Sequence, residues 1–216
     1  MAPTTIRSEP RWPAVLAISA VGGLRLALPD GLAIGPNWLL LAVVLVLLVP
    51  TAWARLGGSH GLNQALGYVV NGIVTVDMLW SLGLLVRALP QHTEAPGAML
   101  RSAAALWIAN ILVFASWYWR LDAGGPHARD LRAAHEDGAF LFPQMTLDQQ
   151  TKDAMGLGDW SPEFVDYLFL AFNTSTAFSP TDAPVLDRWA KVLMMTQALI
   201  SFMTVALLAA RAVNIL

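Results

Sequence analysis

The chain has no cysteine, which excludes disulfides, thiolate metal sites and thiol catalysis. Charge is scarce as well: Asp, Glu, Lys and Arg make up 13% of the 216 residues, with a formal net charge of -2. No basic arm and no aromatic-interleaved basic patch is present, so a nucleic-acid partner is not expected. The four histidines, His60, His92, His127 and His135, are scattered and form no HExxH pattern. GxSxG, P-loop and dinucleotide fingerprints are missing too, so neither an enzyme activity nor a cofactor is expected.

What remains is apolar. Hydrophobic residues make up 56% of the chain and the mean hydropathy is +0.54. A water-soluble core rarely hides that much apolar surface, so an all-α, multi-pass membrane protein is expected. Nine tryptophans, with Gly and Pro inside apolar runs, suit helices anchored at membrane interfaces.

Five runs are candidate spans. The first, Trp12 to Leu24, follows Arg7 and Arg11; the alternative of a cleaved signal peptide is the weaker one, because no cleavage site closes the run before Arg25. Gly31 to Ala54 supplies 24 uncharged residues, with Pro50 as a kink near its end. Leu62 to Leu89 carries Asn71 and Asp77, and an ionisable group at that depth must face protein or water. Ser102 to Trp119 has Asn110 near its middle and an aromatic end. The last run lies between Lys191 and Arg211, with 19 uncharged residues including Gln197 and Ser201.

The organisation follows as one membrane domain over 1–216: a four-span bundle over 12–121, a polar segment over 122–161 and a final unit over 162–212. The polar segment holds the Gly124–Pro126 turn and an apolar island, Ala139 to Met145, expected to pack back on the bundle. His127, Asp130, His135, Glu136 and Asp137 form an acidic-histidine cluster, for which a solvated surface is favoured over a divalent cation, so no metal site is assigned.

Between the polar segment and the last span, "YLFLAFNTSTAFSPTDAP" is apolar enough to enter a membrane and too short to cross it. Ser161 followed by Pro162 predicts a helix start. About three turns follow before Thr174, where hydroxyls and two prolines predict loss of helix. Such a half-helix ends inside the bilayer, and irregular backbone at that depth is tolerated only when buried in protein or lining a wet cavity.

The order of pore helix, Thr-rich stretch, Asp and final span resembles the pore domain of tetrameric potassium channels, over Pro162 to Arg211. Against the family filter Thr-Ala-Thr-Thr-Val-Gly-Tyr-Gly-Asp, the chain reads Thr174, Ser175, Thr176, Ala177, Phe178, Ser179, Pro180, Thr181, Asp182. Trp189 and Lys191 match the aromatic and basic residues at the start of the inner helix, and Ser201 stands near the family's hinge glycine. The resemblance implies a homotetramer that conducts monovalent cations among lipids. Neither filter glycine is present, and Pro180 fixes its own φ and restricts Ser179, which argues against a narrow filter of stacked carbonyl rings. The "FSPTD" element and the "AARAVNIL" end also resemble a family of bacterial multi-pass inner-membrane proteins, which implies a location and no function.

Three functions stay open from sequence: a passive cation channel, a proton-coupled or other secondary transporter working through Asp77, Asn110 and the broken segment near Thr176, and a non-conducting structural or sensory protein with a pore-like fold. Thr174, Ser175 and Thr176 either line a path or bond to helix carbonyls. Asp77 is either a cation site or paired within the bundle. Asn110 and Gln197 are expected to join helices, and Asn71 is a further intramembrane polar group. Basic residues near the span ends favour a cytoplasmic N-terminus. The channel resemblance implies the reverse.

Overall fold

The computed structural model describes residues 8–91, 95–132, 138–158, 160–177 and 183–213. Its helices are α1 (Trp12–Leu24), α2 (Leu39–Leu56), α3 (His60–Gln91), α4 (Pro96–Leu121), α5 (Pro126–Asp130), α6 (Gln149–Ala154), α7 (Phe164–Ala177) and α8 (Arg188–Val213). Among the described residues, four stretches are long and apolar enough to cross a membrane: Leu39–Leu56, His60–Ala88, Gly97–Gly124 and Arg188–Ala210. The protein is thus a multi-pass, all-α membrane protein. The expected first span is a shorter apolar helix, Trp12–Ala27 including the 3-10 turn that closes it. Pro29 follows that turn and disfavours further helix in the residue before it.

Local chemistry sets these ends. Pro13 lies in the first turn of α1, where a missing N–H costs nothing. Pro50 lies inside α2 and removes one ladder bond. The hydroxyl of Thr51 donates to the Leu47 carbonyl at 2.7 Å, keeping that stretch of backbone satisfied away from water. α2 then stops at Gly57 and Gly58, the latter at φ +71°, where the amide of Ser59 closes on Ala54 at 2.8 Å.

α4 is the axis of the bundle and packs against α1, α3, α7 and α8. Its buried surface is built from small residues, among them Ser102, Ala103, Ala105, Ala109, Ala115 and Ser116. Small side chains let helix backbones approach where lipid gives no hydrophobic drive to associate. The Ser116 hydroxyl donates to Asn71 Oδ1 at 2.9 Å and the Trp117 indole to Thr75 at 2.9 Å, and one turn on from Ser116 the Arg120 guanidinium lies against Gly67, one turn before Asn71, so α4 runs antiparallel to α3. α1, α3, α7 and α8 all begin at one end of the bundle, the polar end, where α2 and α4 finish.

The polar end is closed by a charged network. Arg129 donates to the carbonyls of Trp119 (2.8 Å) and Asp122 (2.9 Å), which satisfies the C-terminus of α4, and to Glu9 at 3.0 Å. Glu9 also accepts from the Trp119 indole, and Arg11 bridges Glu9 and Asp130. The chain ahead of α1 is thereby fixed to α4 and α5.

Deeper in the bundle, Arg25 ties α1 to α3. Its guanidinium donates to Asp77 and to the Ile34 carbonyl, and the two side chains are 3% and 11% exposed. The intramembrane carboxylate therefore has a cationic partner from another helix, and Asn71 is engaged elsewhere. Removing one member of such a buried pair leaves an uncompensated charge, which costs about 3–5 kcal/mol. Asp77→Leu is expected to destabilise the protein by that amount in thermal unfolding in detergent. The double variant Arg25→Leu, Asp77→Leu is expected to recover most of the loss.

Candidate functional site at the α7–α8 pair

α7 has 14 residues, about 21 Å of helix, against a hydrocarbon core of about 30 Å. Its inner face is Phe164, Tyr167, Leu170, Ala171, Thr174 and Ser175, spaced as one helical stripe, and Val165, Phe169 and Phe172 point outward. The helix starts at Phe164 rather than at Pro162. It also runs on through Thr174, Ser175, Thr176 and Ala177, where loss of helix was expected. The reason is local: Thr174 donates back to the Leu170 carbonyl and Thr176 to that of Phe172, each at 2.9 Å, so these hydroxyls bond within the helix and do not end it.

Gln197 of α8 joins three helices and has no exposed surface. Its amide nitrogen donates to the Ala171 carbonyl at 2.7 Å and to the Ser175 hydroxyl at 2.8 Å. Its side-chain oxygen accepts from the Tyr118 hydroxyl, and its backbone carbonyl accepts from Asn110 at 3.3 Å. One turn further on, Ser201 donates to the Ser175 carbonyl at 2.7 Å and accepts from the Trp107 indole at 3.0 Å. Ala171 and Ser175 thus face Gln197 and Ser201 in the same order along both chains. α7 and α8 are consecutive and parallel.

The start of α7 is fixed just as firmly. Tyr167 donates to Asp122 Oδ2 at 2.6 Å, and the other oxygen of Asp122 accepts from the Ala139 amide at 2.5 Å. Phe140 packs its ring edge-on to Tyr118, Tyr167 and Trp189 at 5.3, 6.2 and 6.2 Å between centroids. The backbone around Phe140 pairs antiparallel with Val185: Leu141 donates to Pro184 at 2.9 Å and Leu186 to Ala139 at 2.8 Å. The apolar island therefore folds onto the bundle. It also holds the chain entering α8 beside the start of α7.

The sequence-derived residues separate into groups. Ser175, Gln197, Asn110 and Ser201 meet in the α4–α7–α8 seam, and Thr174 is buried beside them. Thr176 and Ala177 lie at the tip of α7 and are exposed. Phe178, Ser179, Pro180, Thr181 and Asp182 lie outside the described residues. Trp189 donates to Asp187 at 3.1 Å, and Lys191 is exposed at the start of α8. Asn71 and Asp77 are both on α3, remote from this seam.

Of the acidic-histidine cluster, His135, Glu136 and Asp137 lie outside the described residues. His127 stacks on His60 with centroids 3.5 Å apart, and Asp130 is taken by Arg11 and the Glu9 amide. Burial, with His60 against the ring, holds His127 below the usual imidazole range. No group of three or more metal-type side chains occurs among the described residues. Sequence reasoning missed Glu9, Arg25, Asp122, Arg129 and Tyr167. Their partners stand far along the chain, and no local spacing marks them.

Comparison with protein-family models, curated proteins and solved structures finds no match for this chain.

Replacing Gln197 with Leu removes the donor to Ala171 and Ser175 and leaves the Tyr118 hydroxyl unpaired. Leaving buried polar groups unsatisfied costs about 1–3 kcal/mol each. Thermal unfolding in detergent is expected to show a loss on the order of 3 kcal/mol. The lipid-facing control Met195→Leu is expected to stay within about 0.5 kcal/mol of the parent.

Proposed function

We propose that the chain is a pore-forming subunit for passive cation conduction, with α7 as a re-entrant half-helix and, of the stretch Thr174 to Thr181, the residues from Thr176 to Thr181 as the constriction, since Thr174 and Ser175 are buried. The observation that carries this reading is the parallel order of α7 and α8. Two consecutive helices that both cross a membrane are antiparallel when a short loop joins them. Here the chain goes in along α7, reaches the level of Ser201 and Trp107 at Ser175, and is back beside Phe140 by Pro184.

Electrostatics supports the same reading. The C-terminus of α7 is directed into the depth of the bundle and carries about half a negative charge, which favours a cation near Thr176. Thr176 and Ala177 are exposed on a single chain, so copies of the chain can face one another across them. One loop per chain requires a symmetric ring for a central path, and four is the number the channel resemblance implies. Without the filter glycines, the path is wide or weakly selective among monovalent cations, Phe178 gates it by dewetting, and Asp182 buttresses the mouth.

In this reading α1 is a fifth crossing, the polar end faces outward across a bacterial inner membrane, and the C-terminus of α8 lies in the cytoplasm. Trp189, Lys191 and Ser201 support the loop and α8. Asn71, Asp77, Asn110 and Gln197 hold the bundle together. No catalytic role and no cofactor are assigned.

Purified protein in liposomes, with potassium, sodium and proton gradients imposed separately, tests this directly. Passive flux down any gradient is expected, and Thr176→Val is expected to change its ion order or reduce it severalfold while the oligomer stays intact. Strict dependence on a proton gradient makes the protein a carrier. Absence of flux in a verified assembly makes it non-conducting. Either result overturns the pore.

A further inference from the structure

A second cavity-based feature stands apart from the α7–α8 seam. α1 and α2 touch near the far end, where Gly22 lies so close to Leu41 that an added Cβ would come within 2.9 Å of the Leu41 Cα. Towards the polar end the two helices diverge. α3, α4 and α5 back the space between them, which forms a cavity of about 980 Å³, at the upper end of the range for ligand pockets.

The lining of this cavity is two-sided. Val15 and Ile18 of α1 and Leu45, Leu48 and Val49 of α2 make an apolar wall, and Val15, Leu45 and Val49 are also exposed on the bundle's outer surface. The cavity therefore reaches the face that lipid covers. At the polar end it is lined by Arg11, Arg55 and Arg120, with Asp130 as its one carboxylate among the described residues. Arg11 already holds that carboxylate.

Arg55 and Arg120 have no ion-pair or hydrogen-bond partner among the described residues. Arg120 lies against the Trp119 ring at 5.3 Å, and its guanidinium occupies the space that a side chain on Gly67 would fill, with Nη1 only 1.8 Å from a Cβ built there. The Nε of Arg120 is buried and unpaired. Deeper in the wall, Asn71 is 1% exposed; its oxygen is taken by Ser116, and its Nδ2 is buried without a partner. Both buried unpaired atoms on the wall are therefore donors. Of the Asp, Glu, Lys and Arg side chains lining the cavity, three are cationic and one is anionic.

We infer that this cavity binds a phospholipid of net negative headgroup charge, whose phosphate lies between Arg55 and Arg120 while an acyl chain runs along the α1–α2 wall. A phosphate brings acceptor oxygens and no donors of its own once ionised, and it matches the planar fork of guanidinium groups. An apolar wall open to the bilayer selects a lipid over free phosphate. The site is independent of conduction, because none of its groups belongs to the α7–α8 seam.

Protein reconstituted in phosphatidylcholine nanodiscs, titrated with phosphatidylglycerol and read by native mass spectrometry of retained lipid, tests the assignment. Retention of phosphatidylglycerol over phosphatidylcholine is expected, with apparent affinity falling about tenfold in Arg120→Gln and in Arg55→Gln. Arg55 is exposed and unpaired, so its variant reads the site even if Arg120→Gln folds poorly. Arg188→Gln, at an exposed position at the same end of the bundle, is expected to retain lipid as the parent does. Millimolar inorganic phosphate is expected not to displace the lipid. Equal retention of both lipids, an unchanged affinity in Arg55→Gln, or displacement by inorganic phosphate overturns the proposal, the last in favour of a free-anion site.

Discussion

The amide of Gln197 is the constraint on which the rest of the final unit depends. Inside a membrane, a buried polar group finds no water, so its partners fix its surroundings. Gln197 of α8 has partners on two other helices at once, and its bonds to Ala171, Ser175 and Tyr118 allow one relative height for α4, α7 and α8. With Asp122 clamping Tyr167 and Ala139 at the polar end, α7 is held near both ends by hydrogen bonds. A helix too short to span the bilayer needs such anchoring, because it lacks a second interface to sit in.

Charge is handled in the same economical way. Arg25 meets Asp77, Arg129 meets Glu9, and Arg11 meets both Glu9 and Asp130. All but the Arg11–Glu9 contact join segments far apart in sequence, so a small number of ionic groups ties the bundle together at its polar end and in its depth. Arg55 and Arg120, which have no such partner among the described residues, face one cavity.

The long helices were legible because hydrophobic length is a strong signal: α3, α4 and α8 lie where the uncharged runs placed them, whereas α2 starts at Leu39, eight residues into its run, after a 3-10 turn and Pro36. The apolar island at Ala139 to Met145 was also readable, since Phe140 and Phe142 have nowhere to go except the core. The C-terminal limit of α7 was not. Thr and Ser were read as helix-ending residues, yet in a membrane their hydroxyls bond to carbonyls four residues back and leave the helix intact. The partner of Asp77 was equally hidden, because Arg25 precedes it by about fifty residues and nothing in their spacing couples them. Asn110 and Gln197 were read as helix-joining residues, and they are bonded to one another; which third and fourth residues they meet depends on helix heights that the sequence does not specify.

The close approach of Gly22 to Leu41 gives the α1–α2 wedge the mechanics of a hinged leaf. α1 is tethered at its other end through Arg11 to Asp130, so it moves with α4 and α5. α2 is among the least buried of the long helices. Asn63 of α3 holds the Thr51 carbonyl of α2 at 2.7 Å, so the mouth of the cavity is the gap between two tethered pairs, α1 with α5 on one side and α2 with α3 on the other.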